Sequence, residues 1–67
     1  MTIGTVKWYD EMQGYGYILQ ADGQEIYFHY TAIAEYNNKS FDVGSTVTYD
    51  LIETRMGFEA SNVRRAA

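Results

Sequence analysis

Aromatic side chains are the residues of this sequence whose types and spacing could do chemistry. Tyr15 and Tyr17 are separated by one glycine. A little further along the chain, Tyr27 and His29 are separated by one phenylalanine. Because side chains alternate faces along a strand, each pair shares one face of an extended segment. Exposed aromatic patches usually mark a binding site, so these four rings predict a surface that stacks against flat ligands.

Cross-strand pairing is the alternative explanation for the tyrosines. Aromatic pairs across strands stabilise a sheet by roughly 0.2 to 1 kcal/mol without any ligand. For a single tyrosine this structural role is favoured. Four rings on neighbouring strands, with Trp8, Tyr9 and Tyr30 close in sequence, favour a binding surface. The opposite face, with Ile18, Ile26 and Phe28, is apolar and suits a core.

Catalytic and metal chemistry have little support in the sequence. His29 is the single histidine and there is no cysteine, so no set of ligands with zinc-site spacing exists. No nucleophile and base stand at a suggestive spacing either. We therefore expect no enzyme activity and no cofactor. We interpret His29 as a group that stacks on or hydrogen-bonds a nucleobase.

Short β-like runs separated by turn residues make up the rest of the pattern, and no stretch shows a sustained helical period. The predicted strands are 3–10, 15–20, 25–30, 45–53 and 57–63. Between the third and fourth strands, 31–44 predicts one short helical turn and a long polar loop. The tail, 64–67, is expected to be frayed. A length of 67 residues suits one domain, 1–67, and the class is an all-β barrel or sandwich.

Net charge limits the kind of partner. The chain carries a net charge of -4 and a pI near 4.6. This argues against duplex DNA, which is bound through many phosphate contacts, and leaves single strands, whose bases stack on aromatic rings. There is no signal-peptide pattern or membrane-length apolar run, so we expect a complete cytoplasmic protein. A monomer is expected, with a dimer left open.

Three ordered motifs resemble the bacterial cold-shock proteins. They are GTVKWY at 4–9, GYGYI at 14–18 and IYFHY at 26–30, and the likeness continues through Gly57 and 60–63 to cover nearly the whole chain. The second and third motifs are similar to the family's two ribonucleoprotein motifs, with tyrosine where phenylalanine is usual. The resemblance implies a five-stranded antiparallel oligonucleotide-binding barrel. It also implies a partner, single-stranded RNA or DNA, and a role as a nucleic-acid chaperone.

The same resemblance assigns the site residues. It implies a stacking platform with its nearest cation, formed by Lys7, Trp8, Tyr15, Tyr17, Tyr27, His29 and Tyr30. Tyr9 is a weaker candidate. Lys39 and Arg55 join Lys7 as expected phosphate partners.

Departures from the family pattern predict weakened affinity. Gln13 stands where a lysine is usual, and Asn38 stands where the long loop usually offers an aromatic ring that Tyr36 could replace. Met56 and Phe58 stand where a basic residue and a proline are common. The competing hypothesis is a small protein-interaction barrel that docks proline-rich peptides, because such modules are also short, acidic and rich in aromatic residues. The position of the rings within two central strands, and not chiefly in loops, counts against it.

Overall fold

The computed structural model describes residues 2–34 and 41–66. Five strands follow one another along the chain: β1 (Thr2–Asp10), β2 (Tyr15–Leu19), β3 (Glu25–His29), β4 (Thr46–Thr54) and β5 (Gly57–Arg65). A short 3₁₀ turn, Tyr30–Ala32, follows β3. The strands close into a barrel in the order β1-β2-β3-β5-β4. The predicted all-β, five-stranded barrel is confirmed.

The barrel is mostly antiparallel, as predicted, and one of its seams is parallel. Strands β3 and β5 pair in parallel at Tyr27 and Glu59, and the other neighbours pair antiparallel. The reason is parity. In a closed ring with an odd number of strands, directions cannot alternate all the way round, so one neighbouring pair must run in the same direction. That pair is β3 and β5, and it closes the barrel beside the tyrosines of β2 and β3.

The core is formed by the inward side chains of all five strands. Its largest fully buried members are Tyr49 and Phe28. Ile33 and Phe41 also lie in the core. Both belong to the stretch 31–44, which was predicted as one short helical turn and a long loop, and Phe41 lies in the part predicted as polar loop. Phe41 contacts Phe28 edge to face, with ring centres 6.0 Å apart. The barrel needs side chains from outside the strands to fill its interior, which a strand pattern alone does not reveal.

The end of the chain is paired, so the expectation of a frayed tail was wrong for Arg64 and Arg65. Both belong to β5 and pair with Thr48 and Val47 of β4. The guanidinium carbon of Arg65 lies 4.5 Å from the centre of the Phe41 ring. This cation–π contact adds to the hydrogen bonds between β4 and β5 that hold the end of β5 in the barrel.

Two aspartates organise the turns that lead into β2 and β3. Asp10 Oδ1 accepts hydrogen bonds from the backbone amides of Met12 and Gln13, at 2.9 and 3.2 Å. Asp22 Oδ1 accepts one from the Gln24 amide at 2.9 Å. Side-chain oxygens that cap turns in this way fix the register of the following strand. In the two described ranges, no helix has the length and apolar character needed to cross a membrane.

Candidate nucleic-acid interface

The two faces of β2 and β3 divide as the alternation predicts. Tyr17 lies opposite Tyr27, and Tyr15 lies opposite His29. All four side chains point outward and are half-buried. Ile18 and Phe28 point inward and are fully buried. The outward rings are therefore available to a partner and are not needed to fill the core.

Trp8 and the three tyrosines form one continuous surface. We call this surface the aromatic platform; it consists of Trp8, Tyr15, Tyr17 and Tyr27. The Trp8 ring centre lies 5.2 Å from that of Tyr15 and 6.4 Å from that of Tyr17. Tyr27 lies 5.9 Å from Tyr15 and 6.0 Å from Tyr17. The rings meet edge to face or tilted, and none lies flat on another. Three adjacent strands thus present ring surface at several angles.

A bulge in β1 brings Trp8 onto this surface. Val6 pairs with Ile18, but the next pair along is Trp8 with Tyr17, so Lys7 is an extra residue in the ladder. An extra residue reverses the inside–outside alternation of the strand. Val6 points into the core, whereas Trp8 points outward and is 42% exposed. Without the bulge, Val6 and Trp8 would share a face.

Tyr9 falls on the inner side as a result, where it is partly buried and packs against the core. Its ring stacks on Phe28 with the centres 5.5 Å apart. A second contact joins it edge to face to Phe41 at 6.3 Å. Burial raises the pKa of the Tyr9 hydroxyl, and the charges of Glu11 and Asp10 raise it further.

Close approach explains the glycine between Tyr15 and Tyr17. A Cβ added at Gly16 would lie 2.3 Å from the carbonyl oxygen of Trp8 and 2.9 Å from the Cα of Tyr9. No side chain fits there, because the bulged strand β1 runs directly against this position. The glycine therefore lets β1 and β2 approach closely at the centre of the platform.

His29 and Tyr30 extend the platform at the end of β3. Their ring centres are 4.6 Å apart. The strand ends at His29, one residue earlier than predicted, and Tyr30 begins the 3₁₀ turn. Nδ1 of His29 lies 2.9 Å from the Thr31 hydroxyl oxygen and accepts a weak hydrogen bond, at 3.4 Å, from the Thr31 amide. These contacts fix the orientation of the imidazole, and Tyr30 stays 46% exposed.

The predicted cations differ in their surroundings. Lys7 Nζ forms an ion pair with Glu25 Oε2, and both side chains are about half exposed. Arg55 is exposed in the turn between β4 and β5. Lys39 lies outside the described residues, as do Asn38 and Tyr36. Gln13, which stands in place of a lysine, is exposed in the turn between β1 and β2.

A cleft next to the platform is the feature that sequence reasoning missed. It has a volume of about 710 Å³ and lies between Tyr17 and Tyr27 on one side and the start of β5 on the other. Phe58 contributes an aromatic wall and is 43% exposed, and Met56 is 93% exposed. From the sequence these two residues are recognised only as departures from a pattern. The parallel seam that brings them beside Tyr27 cannot be read from residue types. The described ranges hold no group of acidic or histidine side chains that could bind a metal ion.

A family comparison decides what kind of protein carries this surface. Residues 2–66 match the model of the 'Cold-shock' DNA-binding domain. The chain belongs to this family. The resemblance seen in the three sequence motifs is therefore confirmed, and the chain is a nucleic-acid-binding cold-shock protein, from a family of binding domains and not of enzymes.

Bacterial relatives of similar length support the assignment. Cold shock protein CspC of Bacillus subtilis is 36% identical over 66 residues, which are 98% of this chain and 100% of CspC. Cold shock protein 2 of Lactiplantibacillus plantarum is 39% identical over 64 residues, 96% of this chain and 97% of that protein. The major cold shock protein of Streptococcus pyogenes is 34% identical over the full length of both chains.

A solved structure shows the same fold at low sequence identity. The Drosophila Unr CSD456 structure superposes with a TM-score of 0.80 at 19% identity, covering 98% of this chain and 26% of that one. This barrel is thus the oligonucleotide-binding fold of a cold-shock domain. Cold-shock domains bind single-stranded nucleic acids.

Proposed function

We propose that this cold-shock domain binds single-stranded RNA or DNA by stacking bases on the aromatic platform, with His29 and Tyr30 extending the path of the strand. The observation that carries the proposal is the contact of four outward rings across three adjacent strands. Each base stacked on an aromatic ring contributes about 1 to 3 kcal/mol, largely irrespective of sequence. Four rings are therefore enough for useful affinity without a strongly basic surface.

Single strands are favoured over duplex for a geometric reason. Stacking on a protein ring requires a base that has left its own stack, and bases in a duplex have not. The longest helical segment in the described part of the chain is the three-residue 3₁₀ turn, which is too short to enter a major groove. The net charge of -4 also disfavours the dense phosphates of a duplex, because like charges repel.

Contacts between basic side chains and the phosphates of the bound strand supply a smaller part of the binding energy. Lys7 stands beside Trp8, and Arg55 and Lys39 are the other proposed phosphate partners. Lys7 is already paired with Glu25, so a phosphate must compete for it. We therefore propose modest affinity, further reduced by Gln13 and Asn38 at positions where the family usually has a lysine and a ring.

An RNA chaperone role follows from stacking that tolerates any base. A protein that binds only the unpaired form shifts the equilibrium away from base-paired structure by mass action. This mechanism needs no nucleotide hydrolysis and no cofactor, and each domain works as a monomer. We propose that the chain acts in this way in the cytoplasm as a binding protein and not as an enzyme.

Titration of Trp8 fluorescence tests the proposal directly, because Trp8 is the single tryptophan. Oligothymidine and oligouridine of about eight nucleotides should quench the emission and saturate, and a duplex of the same length should bind much more weakly. Equal affinity for duplex and single strand would contradict the proposal. An unchanged emission spectrum at saturation would remove Trp8 from the binding surface.

A hairpin-opening assay tests the chaperone role separately. An RNA hairpin labelled with a fluorophore and a quencher at its two ends should open in proportion to added protein, without ATP. A double variant, Tyr17→Ala with Tyr27→Ala, is the control, because it removes two platform rings on the outer face. If this variant opens the hairpin as well as the unmodified protein, the platform does not drive the opening.

A further inference from the structure

The cleft beside the platform combines aromatic walls with acidic groups. Tyr17, Tyr27 and Phe58 supply rings, and Glu25 and Glu59 supply carboxylates. The complete lining is Tyr17, Gln24, Glu25, Ile26, Tyr27, Met56, Gly57, Phe58 and Glu59. Its volume of about 710 Å³ exceeds what a single nucleobase needs. The cleft shares Tyr17 and Tyr27 with the platform, so a strand lying on the platform has direct access to it.

Glu59 is the acidic group best placed to contact a ligand in the cleft. It pairs with Tyr27 across the parallel seam, and paired residues of neighbouring strands point to the same face. Its side chain is half-buried, and it makes no ion pair or side-chain hydrogen bond with any of the described residues. Glu25 differs, because its Oε2 is bound by Lys7. Glu59 is therefore a hydrogen-bond acceptor that stands beside a stacking ring and has no side-chain partner within residues 2–34 and 41–66.

We propose that this cleft holds one base of the bound strand and selects a base with an exocyclic amino group, with guanine preferred. The inference rests on the proposed single-strand binding and adds base selectivity to it. A carboxylate only accepts hydrogen bonds. Guanine presents two adjacent N–H donors on its pairing edge, and cytosine and adenine present one amino group each. Thymine and uracil present a single N–H flanked by two carbonyl oxygens, which the carboxylate repels.

The charge of the cleft favours a base, and not a phosphate, as the part of the strand that occupies it. Two carboxylates in the lining disfavour a phosphate, since like charges at this distance repel. An uncharged base with amino hydrogens suits both the aromatic rings and the carboxylates of the lining. Its ring packs against Tyr27 and Phe58, and its amino group reaches Glu59. The strand then leaves its phosphates outside the cleft, toward Arg55 in the neighbouring turn.

A substitution scan tests the inference. Octathymidine is compared with eight variants in which one thymine is replaced by guanine, each position in turn, by Trp8 fluorescence titration. We expect one position at which guanine tightens binding by roughly three- to tenfold, the effect of one additional hydrogen bond. Cytosine at that position should give a smaller gain. Glu59→Gln should remove the guanine gain, because the carboxylate acceptor is lost, and it should not weaken the binding of octathymidine, because thymine gains nothing from that carboxylate.

Asp42→Asn is the matched control, because it removes the same charge from an exposed residue outside the lining. It should keep the guanine gain. Thermal unfolding of both variants checks that each remains folded. If guanine gives no gain at any position, or the gain persists in Glu59→Gln, the inference is wrong. Binding of a proline-rich or lysine-rich peptide that depends on Glu59 would also overturn it. Failure of octathymidine itself to bind would instead refute the proposed function.

Discussion

Individual tyrosines take opposite roles in this domain according to the face on which they lie. Tyr17 and Tyr27 point outward beside each other and support no part of the core. Tyr49 is 1% exposed, and its hydroxyl donates a hydrogen bond to Gln20 Oε1 at 2.7 Å. Tyr9 packs flat on Phe28. Substitutions should therefore separate into those that affect binding and those that affect stability.

Removal of a platform ring should weaken binding. Tyr17→Ala or Tyr27→Ala should each cost about 1 to 3 kcal/mol of binding free energy, the usual loss of one base–aromatic stack. Fluorescence titration with oligothymidine measures the change. Tyr17→Phe and Tyr27→Phe are the matched controls, because they keep the ring and lose only the hydroxyl, and they should cost much less. Equal losses for phenylalanine and alanine would mean that hydroxyl hydrogen bonds, and not stacking, carry recognition.

The hydroxyls of Tyr9 and Tyr49 should make the protein sensitive to alkaline pH. Burial raises the pKa of Tyr9 and of Tyr49 above the ordinary value of 10.0, and nearby carboxylates add to both shifts. Above pH 10 the unfolded chain loses these protons more readily than the folded one does. Below pH 10, ionisation of these two hydroxyls should therefore not reduce the free energy of unfolding. The free energy of unfolding should fall as the pH rises from 10 toward the pKa values that the two hydroxyls have in the folded state.

Chemical denaturation between pH 8 and 11 measures this effect. Tyr49→Phe removes one of the two hydroxyls with a raised pKa, so the decline above pH 10 should become shallower. At neutral pH the same variant should lose about 0.5 to 1.5 kcal/mol, because the hydrogen bond to Gln20 is gone. An unchanged alkaline decline in Tyr49→Phe would assign the pH dependence to other groups.

At the scale of elements, the contact of β1 with β2 is what places the platform. The bulge at Lys7 turns Trp8 outward, and Gly16 lets the bulged strand approach. Gly16→Ala would bring a Cβ to 2.3 Å from the Trp8 carbonyl oxygen, which is backbone and cannot swing away. We expect a loss of about 1 to 3 kcal/mol of stability together with weaker binding, since Trp8 must shift.

Gly23→Ala is the comparison for this prediction. Gly23 has a φ of 89° and open space around it, so alanine there meets only backbone strain. It should lower the melting temperature without weakening the binding of oligothymidine relative to folded protein. If Gly16→Ala also leaves binding by the folded protein unchanged, the platform does not depend on this close approach.

The inner and outer faces of the sheet can be tested with two phenylalanines. Phe28 is fully buried, so Phe28→Ala should lower the free energy of unfolding by about 3 to 5 kcal/mol. Phe58 is 43% exposed, and Phe58→Ala should cost about 1 kcal/mol or less. Urea denaturation measures both. A Phe28→Ala variant that folds with normal stability and loses only its ligand would show that the faces are assigned backwards.

For the whole molecule, the balance of charge sets how binding responds to salt. Nine acidic residues outnumber five basic ones. With about two or three phosphates neutralised by Lys7, Lys39 and Arg55, the slope of log affinity against log salt should be about -1.4 to -2.1 for a single strand. Stacking, which is insensitive to salt, then carries most of the affinity under physiological conditions.

Gln13→Lys should raise the affinity for oligothymidine and make this slope steeper by about 0.7, the contribution of one additional phosphate contact to a single strand. Titrations at several salt concentrations measure both quantities. Gln13→Met has a similar length and no charge, so it should leave the slope unchanged. Asn38→Phe should raise affinity at nearly constant slope, since it adds a ring and not a charge. If neither Gln13→Lys nor Asn38→Phe changes affinity, the ligand does not pass these positions.

The sequence by itself determined the strands and the face on which most rings lie. Side-chain alternation in two short runs is enough to separate Tyr15 and Tyr17 from Ile18, because a strand has a period of two residues and one of its faces must be buried. The order of the motifs was enough to indicate the family. These features depend on local pattern, so they can be read without a model of the barrel.

Only the tertiary structure decided the features that depend on contacts between distant parts of the chain. The bulge that turns Trp8 outward and Tyr9 toward the core arises from pairing with β2, and a single strand carries no sign of it. Phe41 enters the core because the barrel interior needs filling. Glu59 and Phe58 reach Tyr27 because a ring of five strands must close through one parallel seam. Closure is a property of the whole ring of strands, so the cleft appears only once the barrel is complete.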